Sequence, residues 1–302
     1  MPHRKYAPPP VMTPVRSSPV RTIASAPLHE RYEAAQTNAQ AFDAVLSDIR
    51  ALERKIERAD ARATRWGKLG WLGGWARGKA SHWSEEALRL YMEQVTLETK
   101  AEQAREGTLF DVGDEGSATW QELKSAFSRL ARVEKIWDVT SQGGAEHVKS
   151  SAGTTIERKQ VRFGVASLAT LRPDVEALHF SNANGPDLWM YPGVLAVGGP
   201  REAPTLVDMA TVTGGFITKR FVEDERPPSD AEAAGFTWAY VNKDGRPDRR
   251  FSHNPQLPVF LYGQFSLETS SGLNERYMAS DQHVAVDFAR ALREHLLTFG
   301  DG

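Results

Sequence analysis

The chain has 302 residues, of which 40% are hydrophobic and 25% charged, with a formal net charge of −2 and no cysteine. That apolar fraction supports at least one ordinary core, so wholesale disorder is excluded. The lack of cysteine excludes disulfide scaffolds, thiolate metal sites and cysteine nucleophiles. No apolar run approaches the roughly 20 residues of a membrane span, and residues 1–27 lack the apolar run of a signal peptide. We therefore expect a cytoplasmic protein.

Charge is unevenly distributed along the chain. Residues 1–27 contain four bases and no acid, whereas residues 106–302 contain 20 bases and 27 acids. The acidic balance argues against a broad phosphate-binding face in the carboxy-terminal two thirds. The first 27 residues also carry seven prolines and little apolar surface. They are therefore predicted to form a disordered basic tail.

Residues 28–105 show helical periodicity. Glycines between Trp66 and Trp83 predict a break, and Ser84, which two glutamates follow, predicts the start of a second helix. Two such helices either fold back as a hairpin or form a coiled coil with a partner chain. We expect a homo-oligomer. Its seam is predicted to consist of apolar residues spaced by three and four: Phe42, Val45, Ile49, Leu52 and Ile56.

Residues 106–153 are predicted to form a helix and a linker. Thr119 and Glu122 have the spacing of a capping box, in which the two side chains satisfy amides at a helix start. Leu123, Phe127 and Leu130 follow at helical spacing. A stretch rich in serine and glycine, ending near residue 153, predicts a domain boundary or a long loop.

Residues 154–302 are predicted to form an antiparallel β-domain that ends in a helix. Asp281 is the predicted N-cap of that helix, which covers residues 282–298. The predicted fold class is therefore α+β, with a helical hairpin or coiled coil, then an antiparallel β-barrel or sandwich capped by a C-terminal helix. The predicted strands are 154–163, 178–181, 188–191, 194–197, 205–209, 216–222, 237–241, 259–269 and 274–278.

Residues 178–299 resemble a pleckstrin-homology-like (PH-like) domain. The resemblance is carried by Leu188-Trp189-Met190-Tyr191 at the start of a meander, by Tyr262-Gly263-Gln264-Phe265-Ser266-Leu267 with Tyr277-Met278-Ala279-Ser280 as the last hairpin, and by the helix that follows. It implies a seven-stranded, nearly orthogonal barrel with a helical cap that binds a protein or peptide. The loop at 182–187 lacks the clustered lysines and arginines of lipid-binding members, which argues against phosphoinositide binding there.

A first candidate site combines cations and tryptophans between residues 50 and 83. Spacing by four places four arginines on one helix face, and such cations interleaved with tryptophans suit an anionic membrane or a nucleic acid. The alternative is a solvated arginine face beside acidic residues, with the tryptophans packing the helix bend. The residues are Arg50, Arg54, Arg58, Arg62, Trp66, Trp71, Trp75 and Arg77.

A second candidate site is the polar loop at 242–254, within a long insertion at 223–258. Asp244, Asp248 and His253 have side chains that bind hard metals, and Arg249 beside Arg250 suits a phosphate, as in a metal-dependent hydrolase or nuclease. The same residues are also ordinary turn and surface ion-pair chemistry.

No phosphate-binding glycine loop, nucleophile elbow, zinc-protease or kinase motif occurs in the sequence. We therefore expect no cofactor. The sequence favours a non-enzymatic adaptor that uses the PH-like domain to bind a protein or peptide. A peripheral membrane or nucleic-acid-binding module is the first alternative, and the hydrolase is the second.

Overall fold

The computed structural model describes residues 11–105, 110–144, 154–168, 170–171, 175–223, 225–242 and 246–300. Glu30–Asp111 form one compact unit, here called the helical unit. The residues up to His29 and from Val112 onwards form the other, here called the β-unit. Long helices near the amino terminus, antiparallel sheets and a C-terminal helix make the fold mixed α+β, as predicted.

In chain order the helices are α1 (Val20–Ile23), α2 (Ala26–Lys68), α3 (Gly74–Arg105), α4 (Ala118–Leu130) and α5 (Gln282–Leu297). The strands are β1 (Thr13–Pro14), β2 (Ile136–Gly144), β3 (Thr154–Val161), β4 (Phe163–Ala166), β5 (Ala177–Phe180), β6 (Leu188–Met190), β7 (Val194–Val197), β8 (Thr205–Asp208), β9 (Val212–Val222), β10 (Glu232–Trp238), β11 (Gln256–Thr269) and β12 (Asn274–Ala279). Each predicted strand overlaps one of these, although the segment at 237–241 shares only two residues with β10.

The helical unit is an antiparallel hairpin. Leu52 and Ile56 of α2 form a buried cluster with Leu90 of α3, and a short 3-10 turn at Gly70–Leu72 lies between the two helices. The predicted start of the second helix at Ser84 is wrong. The helix already begins at Gly74, and the Ser84 hydroxyl donates to the Ala80 carbonyl 3.0 Å away.

The hairpin buries most of the seam for which the sequence left open a hairpin or a partner chain. Ile49, Leu52 and Ile56 are buried, and Phe42 and Val45 are half-buried. Two antiparallel helices bury their apolar stripes on each other when the connection is short. The hairpin alternative is thus present within one chain, and association of two chains through these five residues stays a prediction.

The prediction of a disordered tail over residues 1–27 is wrong for residues 11–27, and residues 1–10 lie outside the described residues. Strand β1 pairs with β2, and the Val15 amide donates to the Thr140 carbonyl 3.0 Å away. Val15 and Ile23 are buried in the β-unit. Two apolar anchors and a set of backbone hydrogen bonds thus offset the entropy of ordering this proline-rich segment.

Two antiparallel sheets form the framework of the β-unit. In the seven-stranded sheet, β11 pairs with β9 on one side and with β10 and β12 on the other. Strand β2 pairs with β12, β3 and β1. In the five-stranded sheet, β4 to β8 follow in chain order as a meander. The described strands do not form a closed barrel.

The predicted linker before residue 154 is partly wrong. Strand β2 extends to Gly144 and lies inside the larger sheet, between β12 and β3. The second part of the β-unit therefore begins at Val112, well before residue 154. Residues 145–153, the end of the predicted boundary, lie outside the described residues.

The main core of the β-unit is a single cluster of buried residues from both sheets, α4 and α5. Helix α5 begins as predicted, because the Asp281 carboxylate accepts from the amides of His283 and Val284. The predicted capping box of α4 is wrong, because the N-cap of this helix is Ser117. The Thr119 hydroxyl instead lies 3.2 Å from Nδ1 of His295 in α5.

Candidate functional site

The turn of the helical hairpin carries the most exposed aromatic residues of the helical unit. We define the hairpin tip as residues 62–83. Trp71, Leu72 and Trp75 are 79%, 50% and 63% exposed. Monomeric proteins rarely display contiguous apolar side chains of this size without a function. The sequence identified both tryptophans, but it gave no sign that Leu72 is exposed beside them.

Interactions between cations and rings hold the hairpin tip together. The rings of Trp66 and Trp75 meet edge to face with centroids 5.1 Å apart. The Lys79 ammonium lies 5.3 Å from the centroid of Trp66 and 5.0 Å from that of Trp75. The Arg62 guanidinium lies 4.5 Å above Trp83 and so links α2 to α3. Such contacts contribute about 0.5–1 kcal/mol each at exposed sites.

The hairpin tip is also strongly basic. Between Asp60 and Glu85 the chain has five cations and no acid. These cations are Arg62, Arg65, Lys68, Arg77 and Lys79.

The structure divides the first candidate site into two parts. It brings Arg62, Trp66, Trp71, Trp75 and Arg77 together at the hairpin tip. The remaining members, Arg50, Arg54 and Arg58, are exposed along α2 further from the turn. The packing interpretation holds for Trp66, which contacts Trp75 at the bend, while Trp71 and Trp75 remain largely exposed.

The polar loop at 242–254 is organised around a buried carboxylate. Asp248 is 2% exposed and accepts hydrogen bonds from the Arg250 amide at 3.1 Å and from Arg250 Nε at 2.8 Å. The hydrogen bond to Asp248 raises the pKa of Arg250. Tyr240 and Phe251 stack with ring centroids 3.9 Å apart and close the base of the loop. Asp248 therefore stabilises the loop itself.

Two other members of this candidate site are exposed. Arg249 and His253 face solvent, while Asp244 lies outside the described residues. Over the described ranges, no group of three or more histidine, aspartate or glutamate side chains is placed to hold a metal ion. The loop does border an open depression of about 490 Å³, lined by Asn242, Arg246, Pro247, Asp248, Arg249 and Arg250.

Sequence reasoning missed a buried ion pair in the β-unit. Arg158 Nη2 lies 2.9 and 2.7 Å from the two carboxylate oxygens of Glu223. The guanidinium lies 4.0 Å from the ring centroid of Trp137 and 4.1 Å from that of Phe221. The Tyr262 hydroxyl also donates to Glu223 at 2.7 Å, and burial together with this carboxylate raises the pKa of Tyr262.

Two further buried carboxyl groups lie on neighbouring strands. Asp138 in β2 is fully buried and accepts from the Ala183 amide at 2.8 Å. Glu275 in β12 is 2% exposed, and the Ser17 hydroxyl donates to it at 2.5 Å. Burial, and then the charge of Asp138, raise the pKa of Glu275 to about 7 against the hydrogen bonds from Ser17. Burial also raises the pKa of Asp138.

Glu275 is expected to make the protein less stable as the pH rises. Its folded-state pKa exceeds the value of about 4.3 for an unfolded chain, so folding favours the protonated form. Its contribution to the free energy of unfolding, on the order of 3 kcal/mol, is fully present below pH 4.3. That contribution is lost as the pH rises through about 7.

Urea unfolding at pH 5, 6, 7 and 8 measures this effect, with Glu275→Gln as the variant that cannot titrate. The difference in unfolding free energy between the two proteins should shift in favour of the variant as the pH rises. Parallel stability curves would show that Glu275 titrates normally.

No helix among the described residues combines the length and apolar character that crossing a bilayer requires. Comparisons with protein-family models, curated proteins and solved structures found no match for the chain.

Proposed function

We propose that the protein is a non-enzymatic adaptor that docks on an anionic membrane surface through the hairpin tip. The observation that carries the proposal is the exposure of Trp71, Leu72 and Trp75 within a stretch that has five cations and no acid. Tryptophan rings lie at the level of the lipid headgroups, where one side is apolar and the other is wet. Lysine and arginine beside them attract anionic headgroups.

The charge of the hairpin tip is sufficient for measurable binding. A lysine or arginine near an anionic leaflet contributes about 1 kcal/mol. Five such residues therefore contribute up to about 5 kcal/mol before the tryptophans are considered. Because the anionic leaflet of a cell membrane faces the cytoplasm, a cytoplasmic location is part of the proposal.

A lipid surface suits the hairpin tip better than a nucleic acid. Binding to single strands uses aromatic rings that stack on bases along a basic groove. Here the exposed rings stand at the end of a hairpin, and the aliphatic Leu72 lies between them in the chain. An aliphatic side chain gains from entering the acyl boundary but offers no ring to a base.

The test is co-sedimentation of the full chain with vesicles that contain or lack phosphatidylserine. Lys68→Gln with Arg77→Gln removes two cations and should weaken binding roughly thirtyfold, at about 1 kcal/mol per charge. Arg50→Gln with Arg54→Gln is the matched control: it removes the same charge from α2, about 25 Å or more from the turn by helix rise. This distance exceeds the Debye length of about 8 Å.

The control should bind within about threefold of the unmodified protein, as screening predicts. Equal binding by the tip variant and the control would contradict the proposal. Binding that is stronger for a single-stranded oligonucleotide than for the vesicles, and that the same tip substitutions abolish, would assign the hairpin tip to nucleic acid instead.

The β-unit is proposed as the protein- or peptide-binding part of the adaptor. We propose that its two sheets and α5 form a PH-like barrel or sandwich, which the sharing of one core by both sheets and α5 supports. The depression beside Arg249 is a candidate contact surface on it. The hydrolase alternative has less support, because Asp248 is already bonded to Arg250.

A further inference from the structure

Residues 13–18 lie against the β-unit as an extended segment, here called the strap. Strand β3 pairs with β2 along its whole length, so β12 and β1 share the opposite edge of β2. On that edge, β12 covers residues 136–138, and β1 covers Ser141 and Gln142. The strap therefore occupies the position of an added strand, as an extended peptide does when it binds to an open sheet edge.

The surface beneath the strap, here called the β2 slot, makes side-chain contacts that select a sequence. The Ser17 hydroxyl donates to Glu275 at 2.5 Å and accepts from the Asn274 amide at 3.0 Å. Asn184 Nδ2 donates to the Val15 carbonyl at 2.7 Å. A segment that fits the slot thus needs an aliphatic residue followed, two positions later, by a hydroxyl. The Val15 side chain is 4% exposed and forms a buried cluster with Trp137, Val139, Tyr262 and Met278.

The strap is attached separately from the main core of the β-unit. Ile23, which follows the strap, is buried in the main core with both sheets, α4 and α5. The Ser25 amide also donates to the Leu206 carbonyl at 2.8 Å. Val15, in contrast, belongs to the smaller cluster on β2. Departure of the strap therefore leaves Ile23 in the core, and the strap stays tethered close to the slot.

The strap leaves two polar atoms of the β2 slot without partners. Asn184 Oδ1 and Glu275 Oε2 are buried, and neither has a hydrogen-bond partner in the part of the chain that the structure describes. A buried acceptor that loses water and gains no donor weakens the contact that encloses it. A peptide that brings N–H or O–H groups to these two oxygens would therefore fit the slot better than the strap does.

We propose that the β2 slot is a peptide-binding site and that the strap is its autoinhibitory occupant. The partner is an extended segment of another protein, with an aliphatic residue and, two positions later, a serine or threonine. It binds as a strand added to β2, in place of the strap. This proposal rests on the peptide-binding role proposed above for the β-unit and gives that role a site and a ligand chemistry. It does not depend on the hairpin tip.

Fluorescence anisotropy of a labelled peptide with the sequence of residues 11–19 tests the slot in the full chain. In the unmodified protein, the tethered strap competes at an effective concentration on the order of millimolar. Val15→Asp places a charge in an apolar cluster, so the strap should leave and the peptide should bind at least tenfold more tightly. Val11→Asp is the matched control, because Val11 is 88% exposed in the same segment, and it should bind the peptide as weakly as the unmodified protein does.

A milder variant keeps the test decisive if Val15→Asp does not fold. Ser17→Ala removes one hydroxyl from the strap and should tighten peptide binding several-fold, whereas a peptide that carries Val15→Asp should bind none of the proteins. Equal affinity of Ser17→Ala and the unmodified protein would overturn the proposal. So would a dimer of the unmodified protein that Val15→Asp abolishes, because the slot would then belong to the strap of a second copy. Vesicle binding tests the hairpin tip separately, so the two proposals can fail independently.

Discussion

Replacing Glu223 with glutamine is expected to lower the free energy of unfolding by about 3–5 kcal/mol. The side chains of Arg158 and Glu223 are only 9% and 1% exposed. Glutamine keeps the shape of the carboxylate but removes its charge, which leaves the Arg158 guanidinium buried without a counter-ion. The neighbouring rings of Trp137 and Phe221 compensate only in part, because a cation–π contact contributes about 2 kcal/mol when desolvated.

A double-mutant cycle separates the loss of the pair from the stranded charge. Arg158→Met combined with Glu223→Gln should be less destabilised than Glu223→Gln alone, because no buried charge remains. Asp287→Asn, which breaks an exposed pair with Arg290, is the control and should change stability by less than about 1 kcal/mol. A loss below 1 kcal/mol for Glu223→Gln would mean that the Arg158 charge reaches water.

Phe127→Ala is expected to cost about 3–5 kcal/mol of unfolding free energy. This side chain of α4 is fully buried at the centre of the aromatic core. Its ring centroid lies 5.7 Å from Phe163 in β4, 4.9 Å from Phe180 in β5 and 5.9 Å from Phe288 in α5. Truncation removes contacts to three elements at once and leaves a cavity that none of them fills alone.

Chemical denaturation measures this loss, and Phe236→Ala provides the matched control. Phe236 is 71% exposed on β10, so the same substitution there should change stability by about 0.5 kcal/mol or less. Similar losses for the two variants would contradict the assignment of Phe127 to the core.

Local patterns were enough to predict most of the elements. Short strand-like segments separated by turn residues identified what became β5 to β9 and β11, and Asp281 marked the start of α5. The extension of β2 to Gly144 was missed because its Ser and Gly residues have weak strand propensity. Pairing of this part of the strand with β3, and of Ser141 and Gln142 with β1, provides what the local sequence lacks.

The errors at the amino end have the same origin. The segment around Val15 lacks apolar periodicity, and the groups that order it, at Thr140 and Gly272, are distant in sequence. Likewise, Thr119 and Glu122 have the spacing of a capping box, but His295 of α5 contacts the Thr119 hydroxyl. Tertiary contacts of this kind override local propensity and carry no sequence signature.

The candidate sites were predicted to different extents. Composition alone identified Trp71 and Trp75, because cations interleaved with tryptophans are visible in the sequence. The pairing of Arg158 with Glu223 was not visible, since the two residues are 65 positions apart. The burial of Asp138 could have been suspected from the sequence, because this charged residue lies in the apolar run Ile136-Trp137-Asp138-Val139. An acidic residue is rarely buried without a specific partner.

Quenching of tryptophan fluorescence by brominated lipids tests membrane docking by the hairpin tip most directly. Bromine on the acyl chains quenches only rings that reach the acyl boundary. With anionic brominated vesicles, the full chain should lose part of its emission. Trp71→Phe with Trp75→Phe should still bind, because the apolar rings remain, but should show almost no quenching. Undiminished quenching in that variant, or none in the unmodified protein, would contradict docking through the hairpin tip.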